Sequence, residues 1–336
     1  MTAPRSPLSP ASFDRRQWVQ LALAGGLGAT LGPAFAQAKY PSKAIRMIIP
    51  FTPGGSADIL GRAIGHELTT AWGQSVVPEN IAGAGGSIGA DRVAKAAGDG
   101  YTLLMGHVGT LAITPGLYPK LPYDPIKSFT PIAWVARVPN VLVVHPSLPV
   151  KDLAAFIAYA KANPGKINYS SGGNGSAAHM TMAYLAQQTG IDMQHVPYKG
   201  TAPAVNDLVA GQVQALFTGI PAVLAQLRAG QIKALAVSSP QRSAILPDVP
   251  TVAEAAVRGF EADQWYGVVG PARMPADVVA RINAQINASL KSPAILERLQ
   301  NEGAQPMLSS PAVFGELIAK DLARWGKVIK DNHMTL

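Results

Sequence analysis

The chain of 336 residues contains no cysteine. Disulfides, thiolate metal sites and cysteine nucleophiles are therefore excluded. The compartment stays open, because export does not require a disulfide. Charged residues are sparse, at 14 %, and they form no large block. With no Lys/Arg cluster interleaved with aromatics, nucleic acid is not an expected partner. No G-x-x-x-x-G-K-[ST] loop occurs, so a phosphate cradle of that kind is missing. The histidines, among them His66, His107, His145 and His195, show no paired ligand spacing. Neither a metal nor another cofactor is expected.

What is present suits a folded protein of two domains: 48 % apolar residues, with 33 Gly and 28 Pro to build tight turns. Residues 1–38 read as a targeting segment. Arg15 and Arg16 precede an apolar stretch, Trp18 to Leu31, and small residues follow as Ala34-Phe35-Ala36 or Ala36-Gln37-Ala38. That order of positive, apolar and small is a secretory signal. The stretch is too short and glycine-rich to span a bilayer comfortably. The arginine pair before Gln17-Trp18-Val19 resembles a twin-arginine signal, which leaves two export routes open. The alternative is a tail that happens to carry two arginines. Removing the segment leaves 25 basic and 19 acidic residues, a charge of +6. A mild positive field helps attract an anion, or serves solubility alone.

Beyond residue 38, short apolar runs alternate with helical patterns. Ile45 to Phe51, Ser75 to Asn80 and Tyr101 to His107 read as strands, each followed by a turn-rich loop, and the loops after the first two open helices. Such β–loop–α repetition implies parallel strands. Ile132 to His145 is a long apolar stretch broken by Arg137 and Pro139, read as a strand leaving one lobe and entering a second. The pattern restarts with strands at Ile167–Ser171, Met193–Tyr198, Gln214–Thr218 and Ile232–Val237. Trp265 to Pro271 looks like the return strand. Two closing helices are expected. The first, about 276–290, carries Val279, Ile282, Ile286 and Leu290 on one face. The second starts at Ser310-Pro311 and presents Phe314, Leu317, Ile318, Leu322, Trp325 and Ile329. The expected architecture is α/β, with two lobes and crossing hinge strands: 39–141 with 264–336 as the discontinuous first lobe, 142–263 as the second.

Four loops share one chemistry: Phe51 to Asp58, Gly83 to Ser87, Ser170 to Ser176 and Lys199 to Pro203. Each runs from a strand end through Gly, Ser, Thr or Pro into a helix start. Helix N-termini present unpaired N–H groups and partial positive charge, glycine permits close approach, and such loops suit an anion. Facing pairs suit a diacid or a bulky monoacid. Any one of them is also an ordinary connection. Asp58 is expected to fix its own loop. His179 donates to a carboxylate or packs between lobes. Lys199 pairs with ligand or stays solvated. Trp265 and Tyr266 wall the cleft or anchor the hinge.

Two enzyme patterns occur. Gly85-Gly86-Ser87-Ile88-Gly89 matches a nucleophile elbow, but no Asp-then-His pair follows in the required order. Gly173-Asn174-Gly175-Ser176-Ala177-Ala178 matches a dinucleotide fingerprint, yet the next strand ends at Pro197-Tyr198-Lys199 with no carboxylate for a ribose. No catalytic residue is assigned, and a secreted serine hydrolase using Ser87 is the rival reading.

Taken together the loops resemble those of the Bug (TctC-like) solute-binding receptors. The matching runs are Ile48 to Asp58, Tyr169 to Ser176 with His179, Val196 to Gly200 with Pro203-Ala204, Leu246 to Glu254, and Trp265-Tyr266-Gly267. They cover nearly the whole chain beyond residue 38. The resemblance implies a periplasmic receptor with a two-lobed Venus-flytrap fold, type II-like. It implies a small organic carboxylate held by loop amides and water. The implied partners are the membrane permease subunits of a tripartite tricarboxylate transporter, or a sensor protein. A monomer is expected. The expected ligand contacts are Phe51, Pro53, Gly54, Gly55, Ser56, Asp58, Gly85, His107, Ser170, Ser171, Gly173, Gly175, Ser176, His179, Tyr198, Gly200, Thr201, Ala202 and Thr218. Many relatives carry Asp where this chain has Thr218 or Gly219. Its absence serves a ligand amine less well and favours a plain acid.

Overall fold

Pro139 separates two strands that belong to different sheets. The computed structural model describes residues 40–118, 120–198 and 200–334, so the targeting segment and Lys199 lie outside the described residues. Residues Lys43–Leu336 form one unit. In chain order its strands are β1 Ile45–Ile49, β2 Val76–Asn80, β3 Thr102–His107, β4 Phe129–Val138, β5 Asn140–Val144, β6 Asn168–Ser171, β7 Gln194–Pro197, β8 Ala215–Gly219, β9 Lys233–Val237, β10 Gln264–Pro271 and β11 Gln305–Pro306. Described helices of eight residues or more are α1 Ser56–Trp72, α2 Ser87–Ala94, α3 Leu153–Ala162, α4 Ala177–Thr189, α5 Thr201–Val209, α6 Ala276–Ser289, α7 Pro293–Asn301 and α8 Pro311–Asp331. No described helix is long and apolar enough to cross a membrane.

The first sheet has the order β11-β4-β10-β3-β1-β2, the second β7-β6-β8-β5-β9. In both, the strands expected to be parallel are parallel: β1 with β2 and β3, β6 with β7 and β8. The antiparallel pairings involve the crossing strands and the edge strands beside them: β10 against β3 and β4, β11 against β4, and β5 against β8 and β9. Continuous apolar runs make this arrangement favourable, because strands covered on both faces bury every residue. All five residues of β5 are buried.

The long apolar stretch is thus two strands. Proline has no N–H for a ladder, and Pro139 falls where the chain leaves one sheet for the other. Arg137, just before it, is held by Glu261 at 3.0 Å and Asp263 at 3.5 Å. Both partners lie just before β10, so the ion cluster joins the two crossing segments. Burial pushes the Asp263 carboxyl up to about 7; the Ser238 hydroxyl and the Arg137 charge pull the other way.

Three helices, not two, close the chain. The additional one is α7, whose buried residues are Ile295 and Leu299. So short a stripe carries little periodic signal. Its start is nonetheless well made: Ser292 Oγ accepts the Ile295 N–H at 3.3 Å, and Pro293 occupies the first helical position. Helix α3, capped by Asp152 through the Ala155 N–H at 2.8 Å, is a second element the periodicity did not reveal. In α8 the expected Phe314, Ile318, Trp325 and Ile329 are buried, Leu317 and Leu322 only partly so, and one acid packs inward with them. Asp321, 1 % exposed, accepts the Trp265 indole N–H at 2.8 Å and pairs with Arg324 at 2.7 Å.

Candidate functional site

The β1–α1 loop begins the site. Asp58 is buried at the first turn of α1, and its carboxylate accepts from Gly54 N–H at 3.0 Å, Arg62 Nε at 2.8 Å and Asn80 Nδ2 at 2.9 Å. Asn80 also donates to the Phe51 carbonyl at 3.0 Å, closing the loop. Burial works against the charge of Asp58, but these hydrogen bonds outweigh it and hold its pKa below the usual carboxylate range. The N-cap of α1 is Gly55, which offers no side-chain acceptor. The Ser56 and Ala57 N–H groups therefore keep no side-chain cap, while the Asp58 N–H reaches the Gly55 carbonyl at 2.9 Å. Helix α5 repeats this with Gly200 as N-cap, at a φ of +112° that favours glycine.

The opposing loop after β6 is tied internally. Ser171 Oγ accepts from Gly173 N–H at 3.1 Å and meets His195 Nε2 at 2.7 Å. Ser170 Oγ donates to the Ala204 carbonyl at 3.2 Å. Ser176 caps α4 by accepting the His179 N–H at 3.3 Å. His179 Nδ1 accepts the Gly175 N–H at 3.1 Å, and its ring stacks on His195 with centroids 3.8 Å apart. Burial lowers both imidazoles to about 4, with the two rings also disfavouring each other's charge at His179. His179 was expected to donate to a carboxylate or to pack between lobes; its ring instead packs on His195 and Tyr169 within the second-sheet half.

Between the loops of the two sheets lies a cavity of about 740 Å³. Nine of the expected contacts line it: Phe51, Ser56, Gly85, His107, Gly175, Ser176, Gly200, Thr201 and Thr218. The others, Pro53, Gly54, Gly55, Asp58, Ser170, Ser171, Gly173, His179, Tyr198 and Ala202, are not among its lining residues. Several of them brace the residues that are. Tyr198, for example, donates its hydroxyl to Asp207 at 2.5 Å, and burial together with that carboxylate raises its pKa to about 12.

His107 ends β3 and faces the cavity from the first sheet. The Gly109 N–H donates to its Nδ1 at 3.0 Å. This assigns the hydrogen to Nε2, which donates to Gln264 Oε1 at 3.3 Å. Burial holds the ring neutral, with a pKa of about 4, although the Gln264 bond acts in the opposite direction. Phe51 meets His107 edge-on at 5.4 Å and Tyr266 lies against it at 4.8 Å. Strand alternation explains the split on β10: Gln264 and Tyr266 line the cavity, while Trp265 turns away toward α8.

Thr52 and Asn174 line it from within two of the expected loops, and other lining residues were not foreseen: Thr114, Val138, Asn140, Pro221, Gln264 and Glu302 among them. Asn140 and Gln264 sit on crossing strands, where sequence shows only strand propensity. Glu302 follows α7, the helix that periodicity missed. The Ser56 hydroxyl donates to its carboxylate. No Lys or Arg is among the lining residues described. Among the described residues no group of three or more His, Asp or Glu is placed to hold a metal.

Residues 60–334 match the family described as tripartite tricarboxylate transporter family receptor, TctC. The chain belongs to the TctC receptor family. It is 40 % identical over 293 residues to protein BugT of Bordetella pertussis, covering 87 % of this chain and 90 % of that one. The structure of R. palustris Rpa4515 with adipate superimposes with a TM-score of 0.76 at 37 % identity, covering 88 % of this chain and all of that one. MatC of Rhodopseudomonas palustris with bound malate gives a TM-score of 0.72 at 35 % identity, covering 86 % of this chain and 100 % of that one. The fold of this TctC receptor is accordingly the two-lobed one of periplasmic binding proteins, built on the two sheets described above. Its function is solute binding.

Proposed function

We propose that this receptor captures a small organic carboxylate in the cavity between the two sheets and delivers it to the permease subunits of a tripartite transporter. The observation carrying this reading is the composition of the cavity wall. It combines glycine-rich loops and helix starts from both sheets with neutral donors, and no described cation. A carboxylate fits such a wall, because backbone N–H groups replace its hydration at a helix start. The adipate and malate bound by the two structural relatives support the same ligand class. The contacts proposed are Ser56, Gly85, His107, Ser176, Thr201 and Thr218, together with Asn140 and Gln264.

The lobe division proposed is 39–141 with 264–336 against 142–263. Sheet membership supports it except at Asn140 and Val141, which belong to the second sheet. Ligand contacts to both lobes would favour the closed state by population shift. Periplasmic location, a monomeric state and the absence of catalysis belong to the same proposal, and the family supports the first. The serine-hydrolase alternative has less support, since Ser87 is 6 % exposed and is not among the cavity-lining residues.

A thermal-shift screen of the protein against mono- and dicarboxylic acids tests the reading. A ligand at a hundred times its Kd stabilises the folded state by about 2.7 kcal/mol. A panel of organic acids that leaves the melting temperature unmoved overturns the proposal.

A further inference from the structure

Glu302 is the one ionisable carboxylate among the described residues lining the cavity, and no described cation lines it with Glu302. Its Oε2 accepts the hydroxyl hydrogen of Ser56, the first residue of α1. No ion pair to Glu302 exists among the described residues. A resident negative charge therefore stands at the positive end of α1, where a ligand carboxylate would otherwise be favoured. The cavity has two unlike poles. At one, Ser176 and Thr201 of the second-sheet loops offer hydroxyl groups with no acid among them, while the Gly175 and Ser176 N–H groups already donate to His179 Nδ1 and the Gly173 carbonyl. At the other, Ser56 and Glu302 offer acceptor capacity.

The turn after α7 lies close to the second-sheet side. At Gly303, whose φ is +61°, an added Cβ would lie 3.3 Å from Pro221 and 3.4 Å from Ile245, a tight contact. Pro221 itself lines the cavity. The turn bearing Glu302 therefore touches the second half of the molecule, and the carboxylate lies where the two halves meet.

Resting on the carboxylate reading above, we infer that Glu302 selects an acid whose far end carries a hydrogen-bond donor, a hydroxyl or an ammonium, over a chain-matched dicarboxylate. The ligand's single carboxylate faces the second-sheet loops, and its donor end faces Glu302. A second ionised carboxylate would meet like charge there. On this inference the turn after α7 would supply the acidic contact that β8 lacks at Thr218.

The test is calorimetric titration of the purified protein at pH 7.5 with chain-matched sets. One set is adipate, 6-hydroxyhexanoate, 6-aminohexanoate and hexanoate; the other is the corresponding four-carbon series. The donor-ended acid of the fitting length is expected to bind about tenfold tighter than its diacid. Glu302→Gln is expected to reverse the order, losing affinity for the ammonium acid and gaining about tenfold for the diacid. Diacid binding tighter than donor-ended acid in the native protein, or an order unchanged by Glu302→Gln, overturns the inference while leaving the carboxylate reading intact. Failure of every acid, the simple monoacids included, removes both. Because the native protein's own order is diagnostic, the test does not depend on the variant folding.

Discussion

Gln264 Nε2 donates to Asn140 Oδ1 at 3.0 Å, joining the strand that returns to the first sheet to the residue that opens the second. The bond is one link in a chain. His107 donates to Gln264 on one side. On the other, Asn140 Nδ2 reaches the Ala262 carbonyl at 3.1 Å and Thr181 Oγ1 at 3.3 Å. A cavity residue of the first sheet is thereby connected to the interior of the second through amide side chains with fixed donor and acceptor ends. Asn140 is 1 % exposed, so water cannot replace these partners.

Replacing Asn140 by Ala removes the acceptor of the Gln264 amide and one of the two donors to the Ala262 carbonyl, the other being the Thr181 hydroxyl. A loss of about 2–3 kcal/mol of stability is expected. Urea denaturation followed by tryptophan fluorescence measures it. A midpoint shift no larger than that of an exposed-site control would mean that the chain of bonds is incidental.

Asp321 is a buried acid with two partners, the Trp265 indole and Arg324. Burial raises its pKa, with the charge of Arg324 opposing. Asp321→Ala leaves the indole N–H unpaired and Arg324 without its carboxylate, with the Glu261 carbonyl still accepting from it, at a cost of about 3 kcal/mol. The comparison is Asp331→Ala, whose partner Lys327 is solvent-exposed at 2.5 Å; no measurable change is expected there, because water screens such a pair. Equal effects of the two substitutions would contradict the assignment.

The stacked imidazoles of His179 and His195 give a pH dependence with a definite sign. Their pKa values fall from 6.5 to about 4 on folding, so between those values the unfolded chain binds more protons. The stabilisation is complete above about pH 6.5 and is lost as pH falls through about 4. Melting temperatures from pH 7.5 to 4 should decline, and less steeply in His195→Gln than in the native protein. Parallel slopes would show that other groups carry the acid sensitivity.

Ser176 and Ser56 both face the cavity, but their structural duties differ. Ser176→Ala removes the N-cap of α4 and should cost about 1 kcal/mol of stability as well as ligand affinity. Ser56 caps nothing, since Gly55 is the N-cap of α1. Ser56→Ala should therefore lower affinity by about 1 kcal/mol with the melting temperature nearly unchanged. Denaturation and calorimetry on the same preparations separate the two quantities. Reversal of the pattern, with Ser56→Ala the destabilising change, would place the cap wrongly.

Much of the architecture was legible along the chain. Buried parallel strands are continuous apolar runs, glycine-rich loops mark their ends, and Pro139 falls where one run must become two strands. These signals are local, so periodicity and turn chemistry carry them. The first and third loops were recognisable for the same reason, and Ser56 and Ser176 were found through them. The roles within those loops were not legible. Asp58, Ser170 and Ser171 share the composition of a contact residue, yet their polar atoms are already paired with neighbours brought in from Asn80, Ala204 and His195. Only the packed chain decides which hydroxyl is left for a ligand. Gln264, Asn140 and Glu302 lie still further from any sequence signal. The first two are ordinary strand residues until the sheets bring them within hydrogen-bonding distance across 124 positions. The last belongs to a short helix with two buried residues, and it reaches Ser56 from 246 positions away. Local composition determines where a strand, a turn and a helix start can form. Which side chains share a cavity depends on long-range pairing, and that information resides in no window of the sequence.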